Sequence, residues 1–273
     1  RRRDRHPHRG TLGPMTRVRG RATLLVLAGL ATAIILVPLA GMLIKAPWSD
    51  WPRYLSDPIV WPAIRLSIIT TLATVAISMV LGTPLAWLLS RADGRAANWL
   101  RALVTVPVVL PPVVGGVALL LAYGRNGVVG APLFDLFGLR LPFTPYAVVL
   151  AQVFVSMPFY VLSVEGAMRG VDQRYAQVAS TLGSGPLRTF VQIGLPLAAP
   201  GIAAGAALAW ARSLGEFGAT ITFAGNFAGE TQTAPLAIYV ALQGNPDAAV
   251  ALSVAMLFVA VLILGLLRGQ WMR

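Results

Sequence analysis

The chain alternates between long uncharged stretches and short segments that carry its charges. Six stretches contain no charged residue over 20 to 25 positions. A helix of about 20 apolar residues crosses a bilayer core of about 30 Å, so each stretch is long enough for one span. The pattern therefore predicts an all-α membrane protein with six transmembrane helices. The predicted spans are 22–44, 60–89, 100–122, 144–164, 198–223 and 248–267.

Prolines modify two of these predicted spans. The fifth span is entered at Pro196 and Pro200, and it is extended past Arg212 to residue 223 because apolar sequence continues that far. In the third span, the run VPVVLPPVVGG at 106–116 places three prolines at membrane depth. Each proline removes a backbone N–H donor, so a broken or kinked span is expected. The break would suit the wall of a pathway or a simple packing kink.

Composition supports the membrane interpretation and changes the meaning of the charge. Hydrophobic residues make up 56% of the chain and charged residues only 12%, whereas a soluble domain has about 25% charged residues. High hydrophobicity also excludes a disordered chain. The 22 Lys and Arg against 10 Asp and Glu give a net charge of +12, which would indicate nucleic-acid binding in a soluble protein. In a membrane protein the same excess is expected in cytoplasmic loops, so no nucleic-acid partner is predicted.

The basic residues concentrate on one side of the predicted spans. With the N-terminus inside, sixteen of the 22 fall in the tails and inner loops, five in outer segments, and Arg212 within a span. The positive-inside rule therefore predicts that both termini are cytoplasmic. The predicted domains are a basic tail at 1–21, a six-span unit at 22–267 that includes an inner loop at 165–197, and a C-terminal segment at 268–273; residues 1–14 precede Met15, a candidate start.

The longest inner segment, the 165–197 loop, predicts two short helices separated by glycine. Apolar residues recur at helical spacing between Val171 and Leu182, and the face they form is expected to pack on the membrane domain. Gly183 ends this helix, and Pro186 suits the first turn of a second helix. The remaining surface of the loop would be free to dock elsewhere.

The spacing within this loop resembles that of permeases from binding-protein-dependent ABC importers. Their inner loop has the pattern E-A-A, three residues, G, nine residues, I, one residue, L-P, and this sequence departs from it only in the first two letters, Gln177 and Val178. The resemblance implies a type I ABC importer-like permease fold and a coupling helix in a cleft of an ATPase subunit. The alternative is a generic amphipathic loop. The residues that the resemblance assigns to coupling are Tyr175, Gln177, Val178, Ala179, Gly183, Ile193, Leu195 and Pro196.

A second resemblance, over residues 210–243, concerns the transported ion. The stretch is similar to molybdate permeases, both in LGEFGA at 214–219 and in GET at 229–231 followed by PLAIY at 235–239. Sulfate permeases share LGEFG, so the later segment favours molybdate; sulfate, thiosulfate or tungstate is the alternative. The resemblance implies an inner-membrane homodimer that works with two ABC ATPase subunits, which hold ATP-Mg, and with an extracytoplasmic molybdate-binding protein.

Arg212 and Glu216 are the candidate site residues within the predicted spans. Four residues apart on one predicted helix, they share a face and can pair. An ionised residue at the bilayer centre costs roughly 2.5–3.5 kcal/mol on insertion scales, so such residues usually face protein or water. Two interpretations stay open: the pair lines a translocation pathway for a tetrahedral oxyanion, or it is an internal salt bridge that fixes the helix.

The sequence argues against an enzyme. It has no Cys, and both histidines, His6 and His8, lie in the tail, so His-dependent triads and His or Cys metal sites within the spans are excluded. The chain also lacks the phosphate loop GxxxxGK[ST], so ATP hydrolysis is expected on a partner, and no cofactor, metal or catalytic residue is predicted. A secondary transporter is the other function class, but it would require an internal repeat that the sequence does not show.

Overall fold

The computed structural model describes residues 14–172 and 174–268, which form helices and the short segments between them. These residues contain no β-strand, and the all-α prediction is confirmed. The predicted tail before residue 14 and the segment 269–273 lie outside this description. The helices are α1 (Pro14–Ile44), α2 (Trp51–Leu55), α3 (Val60–Arg91), α4 (Arg95–Val109), α5 (Pro112–Tyr123), α6 (Gly130–Phe137), α7 (Pro145–Arg169), α8 (Arg174–Thr181), α9 (Pro186–Thr189), α10 (Leu195–Leu214), α11 (Gly218–Phe223), α12 (Ala234–Gly244) and α13 (Pro246–Arg268).

The predicted spans correspond to long apolar helices. By length and composition, five helices within the described ranges could cross a membrane: α1 from Arg21 onward, α3, α7, the continuous rod Pro186–Leu214, and α13. The third predicted span consists of α4 and α5, which meet at an angle of 114°. Leu110 and Pro111 at this junction have extended backbone. The break predicted from the prolines is therefore confirmed, and this bent pair can supply the sixth span.

The fifth predicted span is wrong at its C-terminal end. Helix α10 ends at Leu214, and α11 starts as a separate helix at Gly218. The Glu216 carboxylate accepts a hydrogen bond from the backbone N–H of Ala219 at 2.9 Å, which satisfies a donor in the first turn of α11. The chain therefore starts a new capped helix, α11, instead of continuing α10. The short apolar helix α12 was not predicted as a helix.

The chain divides into two compact units, residues 1–46 and 47–273. In the first unit, α1 exposes its side chains throughout residues 21–41. Most of these side chains are apolar, such as Leu24 and Ile34, as expected for a helix surface that faces lipid tails.

In the second unit, α7 is the central helix and packs mainly against α3 and α10. The close approach of α10 depends on two glycines, Gly201 and Gly205. A Cβ atom built on Gly201 would lie 2.1 Å from the Cβ of Ala167, and one built on Gly205 would lie 3.2 Å from the Tyr160 ring. Small residues let membrane helices pack closely in this way.

The second unit has two distinct ends. The loop end carries the 165–197 loop together with the C-termini of α3 and α7, and the far end carries the N-termini of the same two helices. Helix α10 runs from the loop end to the far end, where α11 packs against α5 and α12 packs against α13. The two ends hold the two groups of predicted site residues.

Candidate functional site

The 165–197 loop has the predicted helix–glycine–helix form. Helix α8 ends at Thr181, and Gly183 follows with φ +79°, a left-handed conformation that favours glycine. The backbone N–H of Ser184 reaches back to the carbonyl of Ala179 at 2.9 Å and closes the turn. Pro186 then occupies the first turn of α9. The local geometry that the resemblance implies is therefore present.

The apolar face of α8 does not lie where it was expected. Ala179 is buried, but Tyr175, Val178 and Leu182 are 55%, 58% and 82% exposed. The expectation that this face packs on the membrane domain is wrong for its large members, because the loop packs on α3 through Phe190, beyond the end of α9, instead. Tyr175 and Val178 on α8, together with Leu182 just beyond its end, form an exposed apolar patch of the kind that marks an interaction site.

A groove of about 650 Å³ runs beside this exposed patch. Tyr175, Val178 and Leu182 contribute apolar lining, while Arg174 and Arg188 contribute positive charge. An apolar centre with a polar rim is typical of protein–protein interfaces. Gln177 is exposed too, and it lines a second cavity of about 370 Å³ between the loop and the end of α3.

The second half of the loop is continuous with a membrane helix. Residues Phe190–Gly194, which include Ile193, form a short π-helical segment that joins α9 to α10 in one continuous rod. π-Helical segments inside α-helices are frequent at functional sites. The Phe190 ring packs on the Trp87 ring of α3 with centroids 5.1 Å apart. Leu195 and Pro196 are the first residues of α10, so the loop is continuous with α10 and in contact with α3.

At the far end, Arg212 and Glu216 form the predicted ion pair. Arg212 Nη1 lies 2.6 Å from Glu216 Oε2, and the two side chains are 28% and 1% exposed. Their predicted position near the middle of one helix is wrong, because Arg212 lies in the last turn of α10 and Glu216 beyond its end. The salt bridge is thus observed, and the pathway role of Arg212 stays a prediction.

Sequence reasoning missed a row of hydroxyl groups on α3. Thr74 Oγ1 donates to Gln152 Oε1 of α7 at 3.1 Å, and Ser67 Oγ accepts from the backbone N–H of Ala234 at 2.8 Å. The sequence signal is a polar helical face inside an apolar span, which a search for charged residues does not detect. The row consists of Ser67, Thr70, Thr71, Thr74 and Ser78, all fully buried.

Sequence reasoning also missed an ion-paired cluster at the loop end. Arg101 Nε of α4 lies 2.7 Å from Glu165 Oε1 of α7, and Arg169 Nη2 lies 3.0 Å from the same oxygen. Arg101 and Glu165 each border a long uncharged stretch of the sequence, but their pairing joins positions 64 residues apart. No sequence pattern predicts a contact of that separation.

The chemistry of these groups suits an anion better than a metal. The described ranges hold no group of three or more His, Cys, Asp or Glu residues that could ligate a metal ion. The far end instead offers the guanidinium of Arg212 and a set of hydroxyl and amide groups. Guanidinium groups bind oxyanions through charge-assisted hydrogen bonds.

Known proteins share both the sequence and the architecture. The chain is 46% identical over 232 residues to the molybdenum transport system permease protein ModB of Mycobacterium tuberculosis, which covers 84% of this chain and 86% of that one. It is 33% identical over 213 residues to the sulfate transport system permease protein CysT of Salmonella typhimurium, covering 77% and 76%.

A solved structure shows the same fold at lower identity. The crystal structure of a bacterial ABC transporter involved in the import of the acidic polysaccharide alginate matches with a TM-score of 0.73 and 18% identity, covering 96% of this chain and 99% of that one. Residues 79–272 match the family described as binding-protein-dependent transport system inner membrane component. This chain therefore belongs to that family, the membrane-spanning permease subunits of ABC importers.

Proposed function

We propose that this chain is the permease subunit of an ATP-driven importer for molybdate. The higher identity to a molybdenum permease, 46% against 33% for a sulfate permease, supports molybdate over sulfate. The GET and PLAIY segments at 229–231 and 235–239 support the same choice. Sulfate, thiosulfate and tungstate are tetrahedral dianions of the same charge, and they are the alternative substrates.

The exposed apolar patch of the 165–197 loop carries the proposal for ATP coupling. Tyr175, Val178 and Leu182 dock in a cleft of a separate ATPase subunit, where their burial contributes roughly 25 cal/mol per Å² of apolar area. The loop end then faces the cytoplasm, and both termini lie on that side. Because the chain functions as a homodimer, two such loops engage two ATPase subunits.

The far end receives the anion from an extracytoplasmic binding protein. Arg212 is partly exposed and meets the oxyanion, while Glu216 balances its charge and caps α11. The balanced charge keeps the oxyanion from binding too tightly to leave. ATP-driven closure of the ATPase subunits moves the 165–197 loop, and through the rod Pro186–Leu214 the far end shifts from outward- to inward-facing.

Cellular molybdenum tests the substrate directly. A host strain without molybdate uptake is complemented with this chain, its ATPase and its binding protein, and grown in nanomolar molybdate. Elemental analysis is expected to show restored molybdenum that depends on all three components. Unrestored molybdenum together with restored growth on limiting sulfate would contradict the molybdate assignment.

Co-purification tests the docking surface. Leu182→Glu places a charge in the proposed apolar contact, so the variant is expected to lose the ATPase subunit during purification. Leu136→Glu on α6 is the matched control, because Leu136 is 75% exposed and lies outside the loop. Retention of the ATPase by Leu182→Glu, at the level of the control, would contradict the proposed surface.

A further inference from the structure

Arg101 contacts three structural elements at the loop end. Its Nε donates to Glu165 Oε1 of α7 at 2.7 Å, and its Nη1 donates to Asn98 Oδ1 on its own helix at 2.8 Å. Its Nη2 donates to the carbonyls of Leu89 and Ala92 at 2.5 and 2.7 Å, at the C-terminus of α3. All three guanidinium nitrogens are therefore used, and one side chain ties α3, α4 and α7 together.

The position of this contact is as informative as its geometry. Glu165 is buried and lies in the last turns of α7, at the start of the 165–197 segment. Arg169, one turn further on, shares the Glu165 carboxylate. The carbonyls at the end of α3 have no partners within the helix, and a cation stabilises a helix C-terminus electrostatically. Arg101 therefore fixes α4 to the C-terminal ends of α3 and α7 at the loop end.

Helix α4 leads from this contact to the far end. It continues across the bend at residues 110–111 into α5, and α5 packs closely against α11. A Cβ built on Gly116 would lie 2.6 Å from Thr222 Cβ, and one built on Gly218 would lie 2.8 Å from Pro112 Cβ. Glu216 caps α11, so a chain of close contacts runs from Arg101 to the Arg212 ion pair.

We propose that Arg101 is a positioning residue that transmits movement of the 165–197 loop to the bent pair α4–α5, and thereby couples ATP hydrolysis to anion movement at the far end. This inference rests on the proposed function of the chain as an ATP-coupled permease. Arg101 itself contacts neither the ATPase nor the anion. Removal of the Arg101 side chain leaves the docking surface intact, but α4 then no longer moves together with α7.

The ratio of ATP hydrolysed to molybdate transported measures this role. The complete transporter is reconstituted in proteoliposomes with wild-type chain, Arg101→Ala, Arg101→Lys or the control Arg95→Ala, an exposed arginine on the same helix. Arg101→Ala is expected to raise the ratio about fivefold or more while the ATPase stays bound. Arg101→Lys retains the charge but too few directed donors, so an intermediate ratio is expected. A ratio in Arg101→Ala equal to that of the wild type would overturn the proposal, whether the two rates are unchanged or fall in proportion.

A distance measurement separates this proposal from the proposed function. Because the chain contains no cysteine, spin labels can be placed at Ser180→Cys on the loop and Leu103→Cys on α4 alone. In the wild-type complex the distance distribution is expected to stay narrow with and without trapped ATP, and in Arg101→Ala to broaden. An equally narrow distribution in Arg101→Ala would overturn the role of Arg101 even if the transported ion proves not to be molybdate.

Discussion

The two ends of the bundle each hold a buried carboxylate paired with arginine, but the pairs are built differently. At the far end, Glu216 pairs with Arg212 four residues away and caps α11 three residues on. At the loop end, Glu165 pairs with Arg101 across 64 residues, and Arg101 also binds the end of α3. The far-end pair organises a local turn, whereas the loop-end cluster determines how three helices sit together.

This difference supports the proposed binding role of Arg212 and the proposed coupling role of Arg101. Arg212 has one charged partner and keeps 28% of its side chain exposed, which leaves it able to meet an anion. Arg101 uses four of its five guanidinium N–H donors on the protein, which leaves a single Nη1 hydrogen for any ligand. The comparison predicts that changes at the loop end affect assembly and coupling, while changes at the far end affect anion transport.

Glu165→Ala is expected to have the largest effect on stability. It leaves Arg101 and Arg169 without their shared counter-ion, and breaking a buried ion pair costs about 3 kcal/mol or more. Thermal unfolding of the detergent-solubilised complex measures the loss. The exposed acid Asp93, changed to Ala, is the matched control. A Glu165→Ala variant as stable as Asp93→Ala would contradict the claim that the loop-end cluster holds α3, α4 and α7 together.

Glu216→Ala is expected to destabilise less, by about 2 kcal/mol, because Glu216 pairs with one arginine where Glu165 pairs with two; the lost helix cap contributes about 1 kcal/mol of that sum. Glu216→Gln retains an acceptor for the Ala219 N–H and is expected to lose less stability than Glu216→Ala. The same unfolding assay compares the two variants. Equal losses would show that the cap contributes nothing and that the pair acts by charge alone.

Gly201→Ala tests the close packing of α10 against α7, the helix pair that connects the two ends of the bundle. The added Cβ would lie 2.1 Å from Ala167 Cβ, and overpacking of this kind costs about 1–3 kcal/mol. Gly166→Ala on the facing helix is the control, since nothing lies within 4 Å of its Cβ position. Unfolding temperatures are expected to fall for Gly201→Ala alone. A similar fall for both variants would contradict close packing of α7 and α10 at this point.

Tyr160→Phe is expected to have the smallest effect. The Tyr160 and Thr83 hydroxyls share a buried hydrogen bond of 2.6 Å midway between the two ends, and its loss costs about 1 kcal/mol. The ring still packs against α10, so both ion-paired clusters keep their geometry. Molybdate uptake is expected to stay near the wild-type rate. A loss of uptake as large as that of Arg212→Ala would show that the polar α3–α7 interface takes part in transport.

Sequence reasoning succeeded where a local rule decides the structure. Uncharged length predicted the spans, the prolines around residue 110 predicted the break between α4 and α5, and Gly183 predicted the turn after α8. The pairing of Arg212 with Glu216 followed from a spacing of four residues.

The sequence predictions failed where a specific side-chain contact, near or distant along the chain, decides the structure. The predicted fifth span runs on to residue 223, whereas Glu216 accepts a hydrogen bond from the Ala219 N–H and a separate helix, α11, begins there. The apolar face of α8 could not show which partner it meets, since exposure depends on how the loop packs. The Arg101–Glu165 contact joins two predicted span boundaries that only the folded bundle brings together.

Uptake of radiolabelled molybdate into proteoliposomes tests the central claim most directly. The vesicles contain this chain with its ATPase, ATP is enclosed with the ATPase domains, and the binding protein with molybdate is supplied at the opposite face. The account predicts uptake that requires ATP and the binding protein, that falls in Arg212→Ala, and that ends when Leu182→Glu releases the ATPase. Uptake that proceeds without the ATPase, or ATP-dependent entry of sulfate but not of molybdate, would contradict it.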